Sequence, residues 1–298
     1  MSVRDIHRLG ATFAAEVRGI DLSCALDART LEALARAFVE HKVLLFRDQD
    51  LAPDDFARFA TAWGTPRIDG FQERNVPGYD FMSTVGNVGG VNVREEYRNG
   101  ASFWHTDCAA ETDADATTML WCLEAPAEGG ETLIADMGAA WRGLDRETQR
   151  AIEPLTALHM YSGTGDILGG REDFEHPLQP VTDDTSGLLP PPARRPVARP
   201  HTLTGEKALY SPAGSMVAID GMETAAACDL MRHLKLHAIS GRFTWSHRYR
   251  PGDLLMWDNT VTLHCARPIG APETPRHRRL LYRIVPLGIP RPLGTPTR

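Results

Sequence analysis

The change of hydrophobic periodicity after Gly64 limits the possible folds of this chain more than any other sequence feature. Beyond that residue, short apolar runs separated by turn residues replace the helical spacing of apolar residues. Runs of this length and spacing are typical of strands in a β-sandwich or barrel. The strands predicted in this way span residues 81–85, 117–123, 131–135, 208–210, 243–247, 254–257 and 280–285. Most of the chain is therefore predicted to be β-structure.

Two helices and a short strand are predicted before the β-rich part. Residues 28–42 place apolar side chains on one side of a helix, and Asp27 is available as its N-cap. The apolar run Val43–Phe46 predicts a buried strand, and Pro53 begins a second helix. Helical spacing returns at residues 223–239. The predicted fold class is mainly β with flanking helices.

The 298 residues are enough for one large domain or two ordinary ones. The sequence has no internal repeat and no clear linker, which favours a single domain over residues 1–298. Two stretches, 65–102 and 162–205, are predicted to be lid or insert loops because of their length and their turn-forming residues. For 162–205, a surface excursion without a functional role is an equally good interpretation.

The charge of the chain favours a small-molecule partner. Its 32 Lys and Arg against 39 Asp and Glu give a net charge of −7, which disfavours nucleic acid and anionic membranes as partners. The 5 cysteines include no CxxC pair, and the N-terminus lacks the apolar core of a secretion signal, so we expect a cytoplasmic protein. No apolar run approaches the roughly 20 residues that span a bilayer. A homo-oligomer is also expected.

His105 and Asp107 form the strongest local signal, within the sequence FWHTD. In a strand, residues two apart lie on the same face, so the imidazole and the carboxylate are predicted to point into one cavity. Such a pair on its own is more typical of a structural hydrogen bond between histidine and aspartate. The functional interpretation therefore needs a second signal.

His264 gives that second signal. A Pro-Gly turn leads into the strand GDLLMWDN, which is followed by VTLH and so by His264. Two histidines and one carboxylate form the facial triad that binds non-haem Fe(II) and leaves positions open for other ligands. The side chains of His105, Asp107 and His264 are therefore candidate metal ligands.

A third signal is the sequence RRLLYR at residues 278–283. With a two-residue period, Arg279, Leu281 and Arg283 share one face of a strand, so two arginines enter an otherwise apolar interior. A buried arginine needs an anion as its partner. This strand is therefore predicted to take part in binding anionic molecules.

The motifs together resemble the Fe(II)/2-oxoglutarate-dependent dioxygenases of the taurine dioxygenase and 2,4-dichlorophenoxyacetate dioxygenase (TauD/TfdA) group. The resemblance rests on FWHTD, EGGETLIADM, GDLLMWDN with LHCARP, and RRLLYR, and it extends over nearly the whole chain from AEVRGIDLS and VLLFRDQ. It implies a double-stranded β-helix, or jelly roll, with helices outside and iron between the two sheets. It also implies 2-oxoglutarate and O2 as cosubstrates.

The resemblance also assigns roles to individual residues. The family's metal ligands, which are its catalytic residues, fall on the three candidate ligands named above. Its contacts to 2-oxoglutarate fall on Thr132 and Arg279, and Arg283 falls where sulfonate-oxidising members bind the substrate anion. An alternative for Arg283 is a structural ion pair with an acidic residue of the second loop, such as Asp166 or Glu172.

The sequence departs from the taurine-oxidising members at three places. The segment between His264 and Arg279 is longer, so Arg276 or Arg278 is an alternative to Arg279. The segment TPRIDGFQERN lacks the His and Tyr that those members place near taurine, and Ser215 replaces an aromatic residue. A bulkier organic acid is therefore expected, for example an aryloxy acid, an alkyl sulfate or a terpenoid carboxylate of secondary metabolism.

The expected reaction is hydroxylation of a C–H bond, and desaturation, epoxidation or ring expansion would use the same residues. The alternative function is a jelly-roll metal protein without oxidative chemistry, either a Zn hydrolase or a sensor. Such a protein would not need Thr132, Arg279 and Arg283 arranged for anion binding. This difference favours the oxygenase.

Overall fold

The computed structural model describes residues 5–68, 72–111, 115–160, 191–213 and 215–294. Within these ranges the protein is mainly β with flanking helices, as predicted. The strands are β1 Ile6–Arg8, β2 Ala15–Val17, β3 Val43–Phe46, β4 Thr65–Pro66, β5 Ser83–Gly86, β6 Thr117–Glu124, β7 Thr132–Asp136, β8 Thr156–His159, β9 Ala193–Pro196, β10 Ala198–Pro200, β11 Lys207–Leu209, β12 Met216–Ile219, β13 Thr244–His247, β14 Leu254–Asp258, β15 Thr262–Ala266, β16 Leu280–Ile284 and β17 Pro286–Leu287. The α-helices are α1 Ala28–His41, α2 Pro53–Trp63, α3 Glu95–Arg98, α4 Met137–Gly143, α5 Arg146–Ile152 and α6 Thr224–Ala238. None of these helices is both long and apolar enough to cross a bilayer.

Two sheets face each other and enclose an apolar interior. The larger sheet has seven strands in the order β1-β2-β3-β14-β6-β16-β5, and every neighbouring pair is antiparallel except β2 and β3. The smaller antiparallel sheet has the order β13-β7-β15. Ile134 of the smaller sheet belongs to the same buried cluster as Leu120 and Leu255 of the larger sheet. Side chains from both sheets therefore share one interior.

Helices α1 and α2 cover the other face of the larger sheet. Met119 of β6 and Met256 of β14 pack in one cluster with Phe38 of α1, whereas their neighbours Leu120 and Leu255 face the interior between the sheets. Side chains alternate between the two faces of a strand. Because both faces of this sheet are covered, both sets of side chains are buried. This double burial explains why these strands are continuous apolar runs in the sequence.

The predicted helices are confirmed, with small shifts of their ends. Helix α1 begins after Asp27, whose carboxylate accepts a hydrogen bond from the backbone N–H of Thr30 at 2.7 Å. It ends at Lys42, which has φ of 63° and leads directly into β3. Helix α2 begins at Pro53 as predicted, and α6 corresponds to the helix predicted at 223–239. The seven strands predicted after Gly64 are also present, with ends shifted by a few residues.

The prediction that FWHTD forms a strand is wrong. His105 makes only an isolated bridge to His264, and Asp107 lies in the turn that follows. Cys108, the next residue, has φ of 62°, in the left-handed region. A residue in that region turns the backbone away from an extended path, so the segment cannot continue as a strand.

The segments predicted as loops contain some helices and strands among their described residues. Strands β4 and β5 and helix α3 lie within 65–102, and β5 is the edge strand of the larger sheet. Strands β9 and β10 lie within the second predicted loop. The rest of that loop, residues 162–190, lies outside the described residues. A lid role for either segment stays a prediction.

Candidate active site

His105 and His264 lie opposite each other in an antiparallel bridge. The N–H of His105 donates to the carbonyl of His264 over 2.9 Å, and the N–H of His264 donates in return over 2.8 Å. Residues paired in this way place their side chains on the same side. The two imidazole rings are consequently 4.1 Å apart between their centroids.

Asp107 brings a carboxylate to the same place from the turn after His105. Its Oδ1 lies 3.9 Å from Nε2 of His105, and its Oδ2 lies 3.7 Å from Nε2 of His264. Candidate ligand atoms of these three residues all lie within 4.8 Å of one another. The predicted ligand set therefore converges, although a turn and not a strand delivers the carboxylate.

The surroundings of the two imidazoles favour the form that binds a metal. Nδ1 of His105 lies 2.8 Å from the carbonyl oxygen of Phe103, which can only accept, so the proton sits on Nδ1 and Nε2 keeps its lone pair. The ring of His264 packs against Trp257 at 4.7 Å between centroids. Burial lowers the pKa of both imidazoles, which keeps them neutral at physiological pH.

Asp107 is held by neighbours on three elements. The hydroxyl of Thr118 on β6 donates to its Oδ2 at 2.5 Å, and Nη2 of Arg283 on β16 lies 3.0 Å from the same atom. Its backbone N–H donates to the side-chain oxygen of Asn259 at 3.2 Å, and the amide of Asn259 donates to Thr118 at 2.8 Å. Burial alone would raise the pKa of Asp107, but the charge of Arg283 and the hydrogen bond from Thr118 hold it well below its usual range. The carboxylate is thus kept charged.

Arg279 is the arginine that enters the interior. It is 2% exposed, and its Nε has no hydrogen-bond partner within the described part of the chain. Burial lowers the pKa of its guanidinium. The alternatives differ: Arg278 forms a surface ion pair with Glu124, at 2.8 Å between Nη2 and Oε1, and Arg276 is exposed. A buried guanidinium of this kind calls for an anionic ligand.

Thr132 and Arg279 both contact the same residue, Tyr249. The hydroxyl oxygen of Thr132, at the start of β7, is 2.9 Å from the phenolic oxygen of Tyr249. The guanidinium carbon of Arg279 lies 5.5 Å from the centroid of the Tyr249 ring. All three side chains are buried. The two residues predicted to contact 2-oxoglutarate are therefore brought together.

Arg283 lies on the interior side of β16, opposite Leu120 of β6 in the strand register. It shares that side with Leu281, as the two-residue period predicts. Its guanidinium contacts Asp107, so it lies next to the candidate metal ligands. The alternative partners Asp166 and Glu172 lie outside the described residues.

Sequence reasoning missed three residues of this site: Thr118, Asn259 and Tyr249. Thr118 lies in a predicted strand and Asn259 ends the motif GDLLMWDN, but their contacts with Asp107 depend on the register between β6 and β14. For Tyr249, a local signal exists, because Trp245, His247 and Tyr249 follow each other at two-residue spacing. That spacing predicts a shared face but not which pocket the face meets.

A family model for "Taurine catabolism dioxygenase TauD, TfdA family" matches residues 5–285 of this chain. The chain belongs to this family. The resemblance inferred from the motifs is thereby confirmed, and with it the identification of the protein as an enzyme, a dioxygenase. The oxidised substrate does not follow from family membership, since members differ in it.

Individual members of the family match along almost their full length. The alpha-ketoglutarate-dependent 2,4-dichlorophenoxyacetate dioxygenase of Cupriavidus pinatubonensis is 31% identical, over 86% of this chain and 89% of that protein. An alpha-ketoglutarate-dependent sulfate ester dioxygenase of Pseudomonas putida is 30% identical, over 99% and 94%. The crystal structure of AAD-2 in complex with Mn(II) and N-oxalylglycine is similar to this structure, with a TM-score of 0.81 over 97% of this chain and 98% of that one. The sequences of the two chains are 25% identical.

Proposed function

We propose that this dioxygenase uses Fe(II) and 2-oxoglutarate to oxidise a C–H bond of a small organic acid, with hydroxylation as the default outcome. The observation that carries the proposal is the convergence of His105, Asp107 and His264 next to Arg283 of β16, the strand that begins directly after the buried Arg279. A candidate metal site with one guanidinium beside it and a second one buried near the start of the same strand suits a reaction in which anionic molecules bind at a metal.

His105, Asp107 and His264 are the proposed metal ligands. Two imidazoles and one carboxylate are the donor set typical of non-haem Fe(II) oxygenases, and the tautomer of His105 fits ligation through Nε2. Bound Fe(II) supplies the activation of O2, for which 2-oxoglutarate is decarboxylated to succinate. Thr118 and Arg283 fix the orientation and charge of the Asp107 carboxylate before a metal binds.

Thr132 and Arg279 are the proposed contacts to the distal carboxylate of 2-oxoglutarate. Arg279 is 2% exposed, and within the described residues its Nε has no hydrogen-bond partner, so burial of this guanidinium favours the binding of an anion. A hydroxyl beside it offers a further donor to that anion. Together they would orient the cosubstrate so that its 2-oxo acid end faces the metal ligands.

Arg283 is proposed to bind an anionic group of the primary substrate. Its guanidinium lies on the interior side of β16, with Nη2 3.0 Å from Oδ2 of Asp107, so it places a positive charge beside the candidate metal ligands. An anion bound there would hold the substrate next to the metal. The names of the two relatives support this class, because dichlorophenoxyacetate and sulfate esters both carry an anionic group.

The fold is proposed to be a double-stranded β-helix, formed as one domain over residues 1–298. The two facing sheets and the site at their interior support this proposal. The segments 65–102 and 162–205 are proposed to be lid or insert loops. We further propose a cytoplasmic homo-oligomer that binds neither nucleic acid nor membranes.

The test of the proposed function is anaerobic addition of Fe(II) and 2-oxoglutarate to the purified protein. Chelation of the metal by the 2-oxo acid should produce a weak visible charge-transfer band, and Zn(II) should produce none. Aryloxy acids, alkyl sulfates and terpenoid carboxylates are then screened in air for stimulated formation of succinate. The true substrate should give succinate and oxidised product in equal amounts.

Arg278→Ala is the control for the binding step, because Arg278 neighbours Arg279 in sequence but pairs with Glu124 at the surface. This variant should keep the band at the same 2-oxoglutarate concentration. If no band forms in the wild-type protein, and Zn(II) supports hydrolysis of an ester instead, the hydrolase alternative is correct.

A further inference from the structure

Tyr249 is the buried residue that touches both proposed contacts to 2-oxoglutarate. It follows β13 and is 5% exposed. Its phenolic oxygen lies 2.9 Å from the hydroxyl oxygen of Thr132, and the guanidinium of Arg279 lies over its ring at 5.5 Å. A cation above an aromatic ring is attracted by the negative face of the ring. One side chain therefore contacts the hydroxyl donor and the charged donor together.

The backbone on both sides of Tyr249 is anchored on one buried carboxylate, that of Asp253. Nε2 of His247 lies 3.0 Å from its Oδ2, and the backbone N–H of Arg250 donates to the same oxygen at 2.8 Å. Nη1 of Arg47 forms an ion pair with the carboxylate and lies 3.0 Å from Oδ1 and 2.8 Å from Oδ2. The ring of His247 meets the Tyr249 ring edge-on at 4.6 Å. Tyr249 thus occupies a fixed position.

The hydroxyl groups of Tyr249 and Thr132 each have one proton to donate. Burial raises the pKa of Tyr249 well above its usual value, so its proton stays in place throughout the working range of pH. If Tyr249 donates to Thr132, the proton of Thr132 is left for another acceptor. An acceptor near both Thr132 and Arg279 is the distal carboxylate in the proposed function.

We propose that Tyr249 is a positioning residue for 2-oxoglutarate: it donates to Thr132, so that the Thr132 hydroxyl donates to the distal carboxylate, and its ring holds Arg279 in place. This inference rests on the proposed function and adds a residue to it. Tyr249 acts through Thr132 and Arg279, so its removal weakens cosubstrate binding without touching the metal ligands.

The test is calorimetric titration of 2-oxoglutarate into the Mn(II)-loaded protein without O2. Tyr249→Phe keeps the ring and removes the hydroxyl. The ring is retained because Tyr249 also lines a surface cleft of about 500 Å³, from which a smaller residue would admit water. The dissociation constant should rise about three- to tenfold, as expected for one lost neutral hydrogen bond, and Mn(II) affinity should not change.

Two controls separate positioning from a general structural role. Tyr282→Phe removes a hydroxyl from β16 on the helix side of the sheet, where the ring packs against Trp121, and should leave 2-oxoglutarate binding unchanged. The second control is a ligand, 2-oxopentanoate, which has a methyl group in place of the distal carboxylate. Its affinity should be the same for wild type and Tyr249→Phe. Equal weakening of both 2-oxo acids would overturn the proposal in favour of a structural role.

A double-mutant cycle tests the relay, that is, the donation from Tyr249 to Thr132 and from Thr132 to the distal carboxylate. In a Thr132→Val background, Tyr249→Phe should change 2-oxoglutarate affinity less than twofold, because the hydroxyl that it orients is gone. Additive losses would show that Tyr249 acts independently of Thr132, and would overturn the relay. If the wild-type protein binds 2-oxoglutarate and Tyr249→Phe binds it with the same affinity, this inference alone is overturned. If the wild-type protein does not bind 2-oxoglutarate, the proposed function is overturned as well.

Discussion

Gly130 leaves the space that the side chain of Arg279 occupies. A Cβ atom at position 130 would lie 2.8 Å from Cδ and 3.0 Å from Nε of Arg279. Gly130 also has φ of +70°, a conformation that L-residues with a side chain rarely adopt. The glycine pair of EGGET therefore has a steric reason: it lets a buried guanidinium lie beside the start of β7, two residues from Thr132.

Gly130→Ala should weaken 2-oxoglutarate binding about ten- to a hundredfold. The added methyl group displaces Arg279, and loss of a charge-assisted hydrogen bond is worth about 1.5–3 kcal/mol. Calorimetric titration of the Mn(II)-loaded variant measures the effect. Gly205→Ala is the matched control: Gly205 has φ of +71° but no atom within 4 Å of a built Cβ. Gly205→Ala should lose thermal stability through its strained backbone alone and keep the wild-type affinity, and a similar loss of 2-oxoglutarate affinity in both variants would contradict the steric argument.

The two interior arginines should have separable roles. Arg279→Ala should raise the 2-oxoglutarate requirement, because it removes the buried partner of the distal carboxylate. Loss of one partner of a buried charge pair costs about 2–5 kcal/mol, or about thirty- to several-thousand-fold in affinity. Steady-state kinetics at varied 2-oxoglutarate measures the change. Arg278→Ala, one residue earlier, should behave as wild type because Arg278 pairs at the surface.

Arg283→Ala should leave the 2-oxoglutarate requirement near that of wild type. It should instead impair oxidation of the anionic substrate and release succinate without matching product, because the substrate is no longer held at the metal. The ratio of product to succinate measures this uncoupling. Turnover of the anionic substrate by Arg283→Ala with unchanged apparent affinity would assign Arg283 a purely structural role beside Asp107.

Loss of His264 should abolish metal binding and oxidation while leaving the fold intact. In His264→Ala the backbone bridge to His105 can persist, because it uses only N–H and carbonyl groups. Two ligands remain, too few for a facial triad. Metal content after loading with Fe(II), together with thermal unfolding, checks both statements, and His105→Ala and Asp107→Ala should behave alike. His233→Ala on the exposed side of α6 should retain metal and activity, whereas full turnover by His264→Ala would exclude the ligand assignment.

Local patterns in the sequence predict the layers of this fold but not the details of the site. Helix α1 and strand β14 are predictable because amphipathic spacing and continuous apolar runs are local properties. The turn at Asp107 is not predictable, since FWHTD carries no glycine or asparagine to mark the left-handed residue at Cys108. The sequence therefore predicts that the side chains of His105, Asp107 and His264 converge, although through an incorrect strand.

The contacts that support the ligands depend on register between distant segments. Thr118 reaches Asp107 because β6 lies between β14 and β16, an order that no local pattern specifies. Tyr249 reaches Thr132 across the end of the smaller sheet, where β13 pairs with β7. Sequence motifs and the family resemblance pointed to the candidate ligands and to Arg279, whereas only the contacts in the structure point to Tyr249.

His159 is a fully buried residue at the end of β8. Its Nδ1 lies 2.9 Å from the hydroxyl oxygen of Ser215, and its Nε2 has no partner within the described residues. Burial, together with the charge of Arg195, lowers the pKa of His159 to about 3. The folded protein therefore holds this imidazole neutral at pH values where the unfolded chain, with a pKa near 6.5, takes up a proton.

Protonation of the unfolded chain below pH 6.5 should destabilise the fold as pH falls. For a depressed histidine pKa, the free energy of unfolding decreases by up to about 1.4 kcal/mol per pH unit between about 6.5 and 3, and this contribution is constant above 6.5. Urea denaturation at pH 7.5, 6.5, 5.5 and 4.5 measures the slope. His159→Gln cannot titrate, so its slope should be shallower than that of wild type by up to that amount, whatever its absolute stability. His233→Gln, at an exposed position on α6, should keep the wild-type slope, and an equal slope in His159→Gln would mean that His159 gains a proton in the folded state.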